Sequence, residues 1–485
     1  MKNKFTAKLL TTLSLFIIGN YSLDASDSIL FFKEETVNIE PKIIRLNNIE
    51  EMLVSNNKEL LSLMSNIKEA EMKLKSSLTN WYPTIDLNAN GMTQYLYGEQ
   101  YSSSGNTTSS QWKSSPSLII NWNLIDPERK ALIAASKNSL EIAKNNYLIK
   151  KRDLITEARK RFFILQKASE EVKNGESAVQ TSKLSLKDAK SKFNSGLGTK
   201  LDILEAESQL SRDSQFLNTR INNQSIAENN LDHILYLAPN EKSRIISKPS
   251  IIGFWNNSFK VSLLSAQEYN KEIANIKESR KLNINQSNIA KAKSKPLVSL
   301  TNTFSSSFTK GELLSSDLDP KQYGSSYNNQ IALKLSWRIF DGGKSYYISK
   351  GNKELAKANE IEYEKTMSEI SNEIKSLFLN LNSNIINIIS TQREIETTKE
   401  QLRISKLRFN AGISTQREVI NSQKELTNAK TKNIEAIYDY NINLDKLSRI
   451  TGLKVDYQCK RDYYSKMKEL KSLRNSFCNT YSKTN

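Results

Sequence analysis

The stretch FNSGLGTKLDILEAESQL, Phe193 to Leu210, returns as FNAGISTQREVINSQKEL, Phe409 to Leu426, at an offset of 216 residues. Each copy reads as a tight Gly-x-x-Thr turn between two helices, with Gly196 and Gly412 supplying a positive φ. Two further pairs follow the same register. NWNLID, Asn121 to Asp126, matches SWRIFD, Ser336 to Asp341, at 215, and NWYPTIDL from Asn80 matches KSKPLVSL from Lys293 at 213. Three matches in one order at nearly one offset make the chain two structural repeats, joined around Pro239 to Gly253.

Working outward, each repeat reads as helix, strand, polar loop, strand, very long helix, tight turn, long helix. In repeat 1 the pattern predicts a helix over 46–79, strands over 84–97 and 117–125, a helix over 128–194, and a last helix ending near Leu237. In repeat 2 it predicts a helix over 259–292, strands over 297–308 and 330–340, and helices on either side of Gly412 to Thr415. At 1.5 Å per residue, the helix before each turn is about 100 Å long, far more than the width of a globular domain. An apolar seam at heptad spacing runs through Ile203, Leu210, Leu217 and Leu231, and through Val419, Leu426, Tyr440 and Leu447, interrupted by Gln224 and Asn433. So narrow a seam suits coiled-coil packing of neighbouring helices. His233, the only histidine, reads as an interhelical hydrogen-bonding residue.

The strands alternate with period 2. Ile85, Leu87, Ala89, Tyr95 and Tyr97 oppose Asp86, Asn88 and Gln94; Leu118, Ile120, Trp122 and Leu124 oppose Asn121 and Asn123. Val298, Leu300, Phe304 and Phe308 oppose Ser299, Thr301 and Thr303, and Ile331, Leu333, Leu335, Trp337 and Ile339 oppose Lys334, Ser336 and Arg338. One apolar face with aromatic residues near the strand ends is the pattern of a membrane-spanning barrel. Four strands cannot close a barrel, because open edges in lipid leave backbone groups unsatisfied. The barrel is therefore expected to be shared between subunits, with a twelve-stranded trimer the smallest odd-order solution. The segments from Gly98 and from Ser305, rich in Ser, Gly and Asn, read as exposed outer loops.

Composition agrees and excludes much else. The 485 residues include only 15 Gly and 8 Pro, too few for a loop-rich β fold; they mark helix-strand junctions, hairpin tips, the join between repeats, and strands or outer loops, with only Gly175 and Gly351 well inside the predicted long helices. One His and two Cys cannot furnish the constellations that zinc sites and triads need. No metal site, nucleotide motif or cofactor motif is found. The formal charge of +18 comes from Lys and Arg interleaved with Glu and Asp along helices, without the basic stripe that nucleic acid requires.

The start, MKNKFTAK followed by LLTTLSLFII, has a basic segment and a ten-residue apolar core, too short to span a bilayer, and reads as an export signal cleaved after Ala25. The organisation expected is thus a signal over 1–25, an extension over 26–45, repeat 1 over 46–238, a linker over 239–257, repeat 2 over 258–452 and a basic tail over 453–485. Cys459 and Cys478 lie in that tail, where an exported protein can pair them or leave them as free thiols.

With its duplicated W-x-[LI]-[IF]-D strand ends at Trp122 and Trp337, its duplicated Gly-x-x-Thr turns and an export signal, the chain resembles the TolC-like outer-membrane efflux protein family from about Leu46 to Leu453. The resemblance implies a mainly helical fold with a membrane β-barrel: a homotrimer whose twelve strands form a Gram-negative outer-membrane barrel and whose helices form a periplasmic tunnel. It implies an exit duct of a tripartite efflux pump or type I secretion system, joined to a periplasmic adaptor (membrane fusion) protein and an inner-membrane RND or ABC transporter, with no catalysis. In relatives, acidic residues past the second hairpin ring the constriction and favour cations; the matching places hold Glu418 and Asn421, with Asp202 and Glu205 equivalent in repeat 1. Relatives also close the tip through a Tyr and an Arg bonded to an Asp. The matching residues are Phe409, Ser414 and Asp202, which leaves Arg408 or Arg417 to substitute. Leu197 and Ile413 are the expected apolar knobs for the adaptor. The rival reading is an exported coiled-coil structural or adhesive protein.

Overall fold

The computed structural model describes residues 40–103, 105–314 and 321–455. The tail expected over 453–485, with Cys459 and Cys478, and the export signal fall almost wholly outside the described residues. Repeat 1 comprises α1 (Ile49–Asn56), α2 (Lys58–Leu78), β2 (Thr84–Ser102), β3 (Gly105–Ile125), α3 (Arg129–Asn194) and α4 (Lys200–Leu235). Repeat 2 comprises α5 (Phe259–Tyr269), α6 (Lys271–Ala292), β5 (Leu297–Leu314), β6 (Lys321–Ser336), α7 (Lys344–Asn410) and α8 (Gln416–Thr451). The 66-residue α3 and 67-residue α7 are the two very long helices.

Local chemistry explains the duplicated motifs. The Trp122 indole donates to the carbonyl of Trp81 at 2.9 Å, and the Trp337 indole donates to the carbonyl of Ser294 at 3.0 Å. Each Trp thereby fastens the end of its hairpin to the preceding helix-strand junction. The motif Asp then starts the long helix: Asp126 accepts from the Glu128 amide at 2.8 Å, and Asp341 accepts from the Gly343 amide at 3.0 Å and the Ser345 amide at 2.9 Å. W-x-[LI]-[IF]-D is thus a joint between strand and helix.

The single helix expected before each hairpin is two helices. Asn57 and Asn270, at equivalent positions, leave the helical backbone, and each side chain caps the next helix through two amides. The strands run longer than expected. β2 reaches Ser102 and β3 begins at Gly105, so the Ser/Thr-rich segment forms a hairpin rather than a loop. Cross-strand pairing along a continuous ladder overrides loop-like composition, and Tyr and Thr favour extended backbone. β6 likewise begins at Lys321 and ends at Ser336, four residues before the expected Phe340.

The four strands form one antiparallel sheet in the order β2-β3-β5-β6, with β3 pairing β5 across the two repeats. The register places Leu87, Leu118 and Phe304 in one row, and Trp122, Leu300 and Leu333 in another. These rows face out, with Leu87 75% exposed and Leu333 70% exposed. The opposite face carries Asn121 paired with Thr301, and Asn123, Ser299 and Lys334 in one row. β2 and β6 are open edges of this sheet. Among the described residues no helix is long and apolar enough to cross a membrane.

The cores lie among the helices, with a large cluster and a smaller one near the hairpin in each repeat among the described residues. Ile49, Leu53, Phe163, Leu165, Leu231 and Leu235 pack together in repeat 1, and Trp255, Ile273, Ile374, Tyr440, Leu444 and Leu447 in repeat 2. The polar interruptions of the seam are paired: Gln224 donates to Ser169 at 3.3 Å and Asn433 to Thr391 at 3.0 Å. His233 makes a stack with Tyr236 at 6.2 Å in place of the expected interhelical bond. A feature the sequence does not signal is a small parallel sheet of β1 (Glu40–Ile43) and β4 (Glu241–Arg244), clasped by Lys42 on Glu241 at 2.9 Å. It ties the extension to the linker between the repeats. Four-residue strands lack an alternation long enough to read.

Candidate functional site at the hairpin tips

The two Gly-x-x-Thr turns lie side by side at the end of the helices remote from the sheet. Both long helices stop by the same device. The Gly196 amide bonds Phe193 and the Leu197 amide bonds Lys192; the Gly412 amide bonds Phe409 and the Ile413 amide bonds Arg408. Gly196 and Gly412 have φ of 73° and 74°, as their position demands. The turns push the next side chain outward, so Leu197 is 82% exposed and Ile413 72% exposed.

The helix starts then diverge. Thr199 and Asp202 cap each other, with the Asp202 amide on Thr199 Oγ1 at 3.2 Å and the Thr199 amide on Asp202 Oδ2 at 2.9 Å. The Thr415 side chain makes no such bond. Glu418, equivalent to Asp202, instead accepts from Arg408 at 3.2 Å across its own hairpin. Asn421 is exposed.

Contacts between the hairpins come from the gate-region candidates Arg417 and Phe409, from the constriction candidate Glu205, and from residues that the sequence gave no role. Arg417 on α8 reaches Glu205 on α4 with two nitrogens, at 3.1 and 2.7 Å. Gln416 donates to Ser185 on α3 at 2.5 Å. The Lys192 ammonium lies 3.7 Å from the centre of the Phe409 ring and also bonds the Phe409 carbonyl. Phe409 is 8% exposed, packed with Leu402, Val419 and Leu426. Among the substitutes considered, Arg417 joins the hairpins and Arg408 does not, and the acid that Arg417 takes is Glu205, with Asp202 held in its cap. The Ser414 hydroxyl is buried without a hydrogen-bond partner among the described residues. Nothing in the sequence singles out Ser185 or Gln416 for this contact. Lys192 had one readable signal: it is the repeat 1 counterpart of Arg408 at the 216-residue offset. Between the turns lies a cleft of about 440 Å³ lined by Lys192, Leu201, Glu205, Phe409, Thr415 and Arg417. It is lined by charged groups, hydroxyls and an aromatic ring.

The duplicated architecture, the sheet with an exposed apolar face and the paired hairpins agree with a family comparison. The profile of the outer membrane efflux protein family matches residues 50–235 and 263–453, one match per repeat. The chain belongs to the outer membrane efflux protein family. Its fold is that of solved channels. The CmeC outer membrane channel of Campylobacter jejuni superposes with a TM-score of 0.70 at 17% identity, covering 96% of this chain and 98% of that one. CusC, described in a study of folding and transmembrane channel formation, gives 0.70 at 15% identity, covering 84% and 91%. The outer membrane protein VceC of Vibrio cholerae gives 0.68 at 15% identity, covering 85% and 97%. No curated protein matches significantly in sequence. Members of this family are channels and not enzymes.

Proposed function

We propose that this efflux protein is a homotrimeric exit duct of the Gram-negative outer membrane, with its helices in the periplasm. The observation that carries the reading is the four-stranded sheet: its apolar face is exposed, and both its edges are open. An open edge in lipid is prohibitive. Three copies joined β6 to β2 close a twelve-stranded barrel, satisfy the edges and turn the apolar rows to outer-membrane lipid. Trp337, Ile339 and Phe340, just past β6, are exposed as well. Repeat 1 (46–238) and repeat 2 (258–452) then supply equal parts of barrel and tunnel, with the linker over 239–257 between them.

At the other end, Leu197 and Ile413 are the apolar contacts for a periplasmic adaptor, which couples the duct to an RND or ABC transporter of the inner membrane. The ties between hairpins, Arg417 to Glu205 above all, hold the tip narrow. In planar bilayers the purified trimer is expected to conduct, and Arg417→Ala to raise the open fraction severalfold. A correctly folded oligomer without conductance refutes the duct. An Arg417→Ala channel identical to the parent removes the tie from gating. Leu197→Asp with Ile413→Asp is expected to abolish adaptor capture, and undiminished capture ends that assignment.

A further inference from the structure

The hairpin tips carry more cations than carboxylates. Over 190–205 and 406–421, the last turns before and first turns after the two hairpin turns, the chain has six cations and three carboxylates. The cations are Lys190, Lys192, Lys200, Lys406, Arg408 and Arg417; the carboxylates are Asp202, Glu205 and Glu418. Every one of those carboxylates is engaged. Glu205 is taken by Arg417 at 2.7 Å and Glu418 by Arg408 at 3.2 Å, while Asp202 is turned back onto the Thr199 amide, which holds it in place without cancelling its charge. The cations are less compensated. Lys190 pairs with Glu207 at 3.2 Å, just beyond the tip, and Lys192 is spent on a carbonyl and a ring, neither of which cancels its charge. Lys200 and Lys406 form no ion pair among the described residues. Asn421 stands where a second acidic residue would be, and removes the group that could have restored balance.

We infer that the tip selects for anions, with Lys192, Lys200 and Lys406 as the residues that set the preference. This rests on the duct reading above. Charges repeated around a narrow opening set the local potential, and the preference follows the sign of the uncompensated excess. It extends to cargo: molecules bearing carboxylate, sulfate or phosphate groups pass the tip more readily than cations of equal size. The sheet contributes less. Its polar face offers Asp86, Lys113 and Lys334, a net excess of one cation, among Asn, Ser and Thr.

The test is the reversal potential of the reconstituted full-length trimer in a potassium chloride gradient. The expected chloride-to-potassium permeability ratio is above 1, falling toward 1 in molar salt as screening sets in. Lys200→Glu with Lys406→Glu is expected to lower the ratio at least twofold, while Lys334→Glu in the sheet leaves it nearly unchanged. Glu at position 200 sits in the first turn of α4, where the helix dipole favours a carboxylate, so that substitution preserves the fold. Lys200→Gln with Lys406→Gln gives an intermediate ratio. A conducting parent with a ratio below 1, or Glu variants with an unshifted ratio, overturns the inference and leaves the duct standing. Absence of conductance fells the duct reading first, and this inference with it.

Discussion

At the residue scale, the two repeats act as internal controls for each other. Tyr236 closes α4 in a left-handed conformation, φ 51°, where the equivalent residue closing α8 is Gly452, φ 71°. A side chain there is strained by roughly 1–2 kcal/mol, partly offset by the stack with His233. Tyr236→Gly is therefore expected to raise stability by about 1 kcal/mol, read as a higher unfolding midpoint in detergent. A lower midpoint would mean that the stack outweighs the backbone strain. The acids of the tip teach the same lesson by divergence. Asp202 and Glu418 are equivalent in sequence, but one caps a helix and the other meets Arg408, because Lys192 in repeat 1 turns to Phe409 while its counterpart Arg408 stays within its own hairpin. Sequence placed Glu205 and Arg417 at the tip; that they meet depended on how α4 and α8 lie together.

At the element scale, the joints decide behaviour. Asp341 opens α7 through bonds from Ser345 and the Gly343 amide, and the Ser345 hydroxyl bond, first among these, holds its carboxyl below the usual aspartate range. A lowered folded value means that the cap contributes fully above the unfolded pKa of about 3.9 and is lost as pH falls through the folded one. The protection factor of the Ser345 amide, its exchange rate relative to an unstructured amide at the same pH, is expected to hold at pH 5 and to fall only below about pH 3.9; a fall already at pH 5 contradicts the assignment. Further along, Gly175 lets α3 and α4 approach closely, for an added Cβ would stand 3.2 Å from Leu217 Cδ1 and 3.3 Å from its Cα. Gly175→Leu is expected to cost about 1–3 kcal/mol by prising the two helices apart, seen as a lower thermal midpoint with unchanged helix content. The elements themselves were largely legible. Their ends were not, because Asn57 and Asn270 break a helix without disturbing its apolar period, and a Ser/Thr-rich run does not show on which side of a loop the ladder stops.

At the scale of the whole molecule, the repeats are held together by charged ties among helices distant in sequence. Arg449 on α8 bonds Asp153 on α3 at 2.7 Å and Glu272 on α6 at 2.6 Å. Arg449→Met removes both and strands two carboxylates, so a loss of about 2 kcal/mol is expected, measured by denaturant unfolding of the detergent-solubilised protein. A loss below 0.5 kcal/mol would show the tie to be solvated and weak, as most exposed pairs are. By itself the sequence determined the duplication, the order of elements, the two hairpins and the sheet's apolar face, because period, offset and glycine placement are local properties of a chain. Only the tertiary structure decided that β3 pairs with β5, that β1 clasps β4, and that the carboxylates of the tip are already occupied. The two strand pairings and the Arg417–Glu205 tie depend on residues that meet across more than a hundred positions, which no local pattern encodes.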